Sequence, residues 1–173
     1  VITYSKKNQF IASLFIVYGL FMVVLTSIDS LEAAFAMKDL GLNESSYGLL
    51  VSIAGLGFVI GSIINIKWSF HPLKAIICGM ILTGIGYFIY SISTTFSIAA
   101  IGFLILSGAL TFVNVGYTTF TQKNIASNLL GRFISIFSMI EAFGMLVLIT
   151  AFGVAAEMVN VRIIVQIGTL LLF

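Results

Sequence analysis

The sequence has little of what most proteins use to fold in water or to do chemistry. Charged residues make up 8% of the 173 residues, against about 25% in an ordinary soluble domain. A chain this poor in charge cannot cover its own surface in water. Cys78 is the only cysteine, which excludes an intrachain disulfide, and one cysteine with the single His71 cannot supply a zinc cluster. His71 stands before the only proline, Pro72, in a polar connection, where a histidine is ordinarily solvated. No GxxxxGK[ST] phosphate loop and no GxSxG nucleophile element occurs. A small net charge of +2 gives no basic surface for nucleic acid. These absences argue against an enzyme, and no motif calls for a cofactor or a metal.

What remains is apolar. Hydrophobic residues reach 60% and the mean hydropathy is +1.19. The length allows five to six membrane spans of about 20 residues with short connections. Six apolar segments are expected as helices: Phe10–Met37, Tyr47–Ile66, Leu73–Ile92, Ser97–Thr119, Phe133–Met158 and a segment from Val161 to Phe173. The runs are continuous rather than alternating, which excludes a transmembrane barrel in favour of helices. The connections Lys38–Ser46, Lys67–Pro72, Ser93–Phe96 and Gln122–Arg132 are short, so successive helices should be antiparallel. The chain begins at Val1 and ends at Phe173 within an apolar run, which reads as a piece of a longer protein.

The basic residues set an orientation. Lys6, Lys7, Lys67, Lys74, Lys123 and Arg132 fall on one side, and only Lys38 and Arg162 on the other. By the positive-inside rule the N-terminus is expected in the cytoplasm. An internal repeat is visible at a shift of 83 residues: Gly48 meets Gly131, Ser52 meets Ser135, Ile53 meets Ile136, Gly61 meets Gly144 and Gly19 meets Gly102. It divides the chain into residues 1–92 and 93–173, two three-helix units of inverted orientation.

Polar residues inside the apolar runs are the candidates for function. In the fourth run, Ser107, Thr111, Asn114, Thr118 and Gln122 recur at helical spacing, and Tyr117 and Thr121 widen the stripe. In the first run, Tyr18, Met22, Thr26 and Asp29 form a matching stripe, with Glu32 just beyond. Two readings are open. Such groups can bond between helices, at about 0.6 kcal/mol each, or they can line a substrate cavity. Three acids fall in or near the membrane: Asp29, Glu32 and Glu141. A carboxylate at the bilayer centre costs at least about 2.5–3.5 kcal/mol. Asp29 and Glu32 lie near a helix end, where a wet interface would account for them, and both are also candidates for proton coupling. Glu141 lies about 12 Å into its helix, and is a candidate for carrying a proton or for pairing with a base elsewhere. Gly55, Gly57 and Gly61 in the second run suit close helix packing, and Gly57 with Gly61 makes a GxxxG pair.

The run from Tyr47 to Gly61 (YGLLVSIAGLGFVIG), and Gln122 followed by Leu130 to Ser135 (LGRFIS), resemble the C-terminal half of a major facilitator superfamily transporter, in the macrolide-efflux-like branch of drug exporters. The segment Gly61–Lys67 is similar to that family's loop motif but has Asn65 where the family carries an acid. The resemblance implies an all-α integral membrane bundle, the last six of twelve helices. It implies proton-coupled efflux of small hydrophobic or amphipathic molecules by alternating access. It also implies a missing N-terminal six-helix half of the same chain as partner, and a multi-pass place in a bacterial inner or plasma membrane. In the family the first helix of each triplet lines the cavity, which agrees with the two stripes. The rival readings are a complete six-helix channel or permease subunit acting as an oligomer, an ATP-driven transporter domain, and a scaffold that transports nothing. The short connections disfavour the ATP-driven one.

Overall fold

The computed structural model describes residues 9–68 and 70–173. Among these the chain is all helical. The helices are α1 (Gln9–Asp29), α2 (Glu32–Lys38), α3 (Glu44–Lys67), α4 (Pro72–Ser91), α5 (Phe96–Asn124), α6 (Ser127–Met158) and α7 (Val161–Leu170). Local chemistry sets several of the boundaries. Asn43 accepts a hydrogen bond from the Ser46 N–H at 2.8 Å to start α3, and Asn160 accepts from the Arg162 N–H at 2.8 Å to start α7. Pro72 stands in the first turn of α4, where its missing N–H costs nothing. Gly41 has φ +66°, and beside it the Leu42 N–H bonds back to the Ala36 carbonyl at 3.0 Å, closing α2.

Two expected boundaries differ. The first run is one apolar span, Phe10–Lys38, but it breaks at Ser30–Leu31 into α1 and α2. The Ser27 hydroxyl donates to the Val23 carbonyl and the Ser30 hydroxyl to the Ser27 carbonyl, both at 2.7 Å. The Leu31 N–H turns to Ile28 at 2.9 Å instead of continuing the α pattern. The expected connection Gln122–Arg132 is nearly all helix, with only Ile125 and Ala126 outside α5 and α6. Ile125 and Phe133 are buried with Phe15, Ile76 and Phe120, so burial holds the segment that its polarity marked as a loop. At 1.5 Å per residue, α5 and α6 run roughly 44 and 48 Å, beyond a hydrocarbon core of about 30 Å. Their charged ends therefore project from it.

Five helices are long and apolar enough to cross a bilayer, and α7, with 10 residues, is shorter. Large apolar side chains stand exposed along them, including Leu20, Leu56, Phe143 and Leu146. This outward apolar surface, with the span lengths, is that of a membrane-spanning bundle. Lys67, Lys74, Lys123 and Arg132 sit at one end and Lys38 and Arg162 at the other. Lys6 and Lys7 lie outside the described residues.

The most extensive seam joins α4 and α5, which run antiparallel. A Cβ at Gly86 would stand 2.6 Å from the Leu106 backbone nitrogen, one at Gly102 2.9 Å from the Gly86 carbonyl oxygen, and one at Gly116 2.9 Å from that of Pro72. α3 lies parallel to α5, with Gly57 against Ser107 and Gly61 against Gly108 and Thr111. On the far side α1 runs parallel to α6, bringing Phe15 to Phe137, Gly19 to Glu141 and Val23 to Gly144. α7 packs on α1, α2, α4 and α6, with Gly168 between Ile28 and Phe152.

Gly86→Ala should therefore lower the thermal midpoint in detergent, since overpacking costs about 1–3 kcal/mol. Gly55→Ala, where a Cβ would meet nothing within 4 Å, should leave it unchanged or raise it slightly. Equal melting of the two variants would show that α4 and α5 do not approach this closely.

Candidate functional site

The expected site residues separate into three places. The first is the junction of α1, α5 and α6. The Tyr18 and Tyr117 rings stack at 3.6 Å with 5° between their planes, and the Tyr18 hydroxyl donates to Asn114 Oδ1 at 3.5 Å. Phe15 meets Tyr117 edge-on at 5.1 Å and Phe133 at 4.6 Å, and Phe133 stacks on Phe137 at 4.7 Å. The backbones of α1 and α5 stay apart, and aromatic rings bridge them.

Beside this stack is a groove of about 230 Å³ between α1 and α6, walled by Phe15, Leu20, Val23, Phe137 and Ile140. Glu141 is its only charged residue. The Glu141 Oε1 is buried without a hydrogen-bond partner, and a Cβ at Gly19 would lie 3.1 Å from it. No base among the described residues pairs with Glu141. The Thr83 and Tyr87 hydroxyl oxygens are also buried and unpartnered. Those groups are neutral, however, and burying a charge costs far more.

The second place lies beneath α3, because the stripe on α5 divides along its length. Ser107 and Thr111, expected on a cavity wall, are buried beneath α3 and bond back to Phe103 at 2.7 Å and Ser107 at 3.2 Å. The glycines of α3 bring its backbone over them, so they face a helix. Asn114, Thr118 and Gln122 lie beyond that crossing and are exposed. On α1, Tyr18 is buried, Met22 and Thr26 are half-buried, and Asp29 is exposed. Gly57 and Gly61 lie against α5, whereas Gly55, named with them for helix packing, points away from every neighbour.

Scans against protein-family models, curated proteins and solved structures return no match.

The third place is the other end of the bundle. Asp29 is about 16 Å along α1 from Tyr18, so the acids Asp29 and Glu32 are not brought to the aromatic stack. Glu32 Oε1 accepts from the Tyr47 hydroxyl at 2.9 Å, and its backbone carbonyl accepts from the Tyr90 hydroxyl at 3.0 Å. Asp39 pairs with Arg162 at 3.8 Å, and the Arg162 guanidinium lies 5.2 Å from the centre of the Phe35 ring. Phe35 in turn meets Tyr90 edge-on at 4.9 Å. The α2 segment is thus tied to α3, α4 and α7 at once. Sequence reasoning missed Tyr47, Tyr90, Phe35, Asp39 and Arg162 as a set. Their partners are far apart along the chain, so no local spacing signals them.

The Arg162 contacts contribute roughly 1 kcal/mol together, from a ring contact and a partly exposed ion pair. Arg162→Gln should speed amide hydrogen exchange across residues 32–40 by about fivefold, with α4 and α5 unchanged. Unaltered exchange in that segment would mean that Arg162 does not hold it.

Proposed function

We propose that the chain is one half of a secondary active transporter that exports small hydrophobic or amphipathic molecules with proton coupling, by alternating access. One observation carries this reading. The Asn114, Thr118 and Gln122 side of a membrane-spanning helix is uncovered, next to a carboxylate without a partner. Amide and hydroxyl groups turned to lipid are unfavourable, so this face requires water or a second protein surface. A substrate cavity closed by another six-helix half supplies both.

In this proposal Met22, Thr26, Asn114, Thr118 and Gln122 contact substrate, and Tyr18, buried against Tyr117, orients Asn114 through its hydroxyl. Glu141 takes and releases the proton, as the one charged residue of the groove and a carboxyl with neither a hydrogen-bond partner at Oε1 nor, among the described residues, a base beside it. Asp29 and Glu32 act at the mouth rather than at the coupling step. The partner that covers this face is the N-terminal half of the same polypeptide, and the setting is a bacterial inner or plasma membrane with the basic end in the cytoplasm. The same uncovered face would also suit a complete six-helix channel or permease subunit that closes its pathway with further copies of itself.

The test uses inverted vesicles from cells expressing the full-length reading frame. A fluorescent lipophilic probe should accumulate under a proton gradient and leave when an uncoupler is added. Glu141→Gln should reduce gradient-driven accumulation at least tenfold while leaving downhill exchange of the probe. Accumulation that survives the uncoupler, or that Glu141→Gln leaves intact, overturns proton coupling through this residue. A native assembly of several six-helix copies would favour the oligomeric subunit.

A further inference from the structure

α3 and α4 each rest on α5 but barely touch each other, and an open trough lies between them. Its floor is Leu104, Gly108 and Phe112 of α5, and its walls include Ile60 and Ile64 of α3 and Leu82 of α4. The lining is apolar throughout, and the volume is about 250 Å³. Gly57, Gly61 and Gly108 line it where α3 meets α5, and by letting those two backbones close together they leave α3 on α5 and away from α4. From Gly57 to Lys67 the trough and its lip extend roughly 15 Å along the helix, half of a bilayer's hydrocarbon thickness. That length and volume suit a single hydrocarbon chain and not a helix about 10–12 Å across.

The trough ends at a rim of different chemistry. Phe70 meets Phe112 edge-on at 5.6 Å, and Trp68 meets Phe70 at 6.4 Å. Both aromatic side chains are nevertheless exposed, Trp68 by 65%. Lys67 follows Ile64 by one helical turn, and Lys74 precedes Leu82 by two, with Cys78 between. Each lysine therefore stands on the helix face that walls the trough, and both are exposed. Lys123 and Arg132 share this end of the bundle. Among the described residues Asp29, Glu32, Asp39, Glu44 and Glu157 belong to the opposite end, and Glu141 lies within α6. No carboxylate answers the positive charge of the rim.

We propose that the trough and its rim bind one anionic phospholipid. An acyl chain lies between α3 and α4, the phosphate sits between Lys67 and Lys74, and Trp68 and Phe70 rest at the level of the glycerol backbone. Charge complementarity selects an anionic headgroup over a zwitterionic one, and indole and phenyl rings favour that interfacial depth. This site is separate from the substrate face, so it stands whether or not the chain is a transporter.

Native mass spectrometry of the purified full-length protein, mixed with equal amounts of phosphatidylglycerol and phosphatidylcholine, tests it. The wild type should retain one phosphatidylglycerol in preference to phosphatidylcholine. Lys67→Gln with Lys74→Gln should lower that retention about tenfold. Leu82→Trp, which fills the trough at an exposed position, should lower it comparably with both lysines intact. Equal retention of the two lipids by the wild type overturns the assignment, as does wild-type retention in either variant. A dimer in the same spectra that Leu82→Trp dissociates overturns it as well, since a second copy would then occupy the trough.

Discussion

The close approach of α4 and α5 is the constraint on which the bundle depends. Inside a bilayer no hydrophobic force drives helices together, because lipid chains are as apolar as leucine. Association must come from contact itself, and contact is greatest where backbones meet. Gly86, Gly102 and Gly116 permit that meeting, with Gly79 against Val113 in the same register. α3 joins the same helix through Gly57 and Gly61. The result is a three-helix body in which α5 is gripped from two sides.

The remaining helices attach by other means. α1 reaches α5 through stacked and edge-on rings, and a hydrogen bond of 3.5 Å at the limit of the geometry. At the opposite end α2 is fastened by the Glu32–Tyr47 and Asp39–Arg162 contacts. A glycine seam has little freedom, because separating it opens a void along its whole length. Rings can slide and re-stack at smaller cost. The molecule thus combines a firm body with a side joined by discrete contacts, and its uncovered polar groups and Glu141 lie along that second join.

The same packing explains why neighbouring polar residues have different surroundings. Ser107 and Thr111 share a helix face with Asn114 and Thr118, yet the glycines of α3 bring a backbone over the first pair and not the second. Likewise the gap between α3 and α4 exists because both helices are held to α5 rather than to each other.

The sequence by itself determined that the chain is helical and that it spans a membrane. Apolar runs of some 20 residues must satisfy their backbone within each run when no water is present, so the spans were legible with ends a few residues away. Which end carries the basic residues was legible for the same local reason. Tertiary structure alone decided the helical stretch around Arg132 and the split of the α5 stripe. It alone brought Tyr18 to Tyr117 and Asn114, Glu141 to Gly19, and Arg162 to Phe35. Hydropathy and spacing describe which face a residue occupies on its own helix. They cannot say which helix, if any, comes to lie over that face, because small residues distant in sequence settle it by letting one backbone approach another.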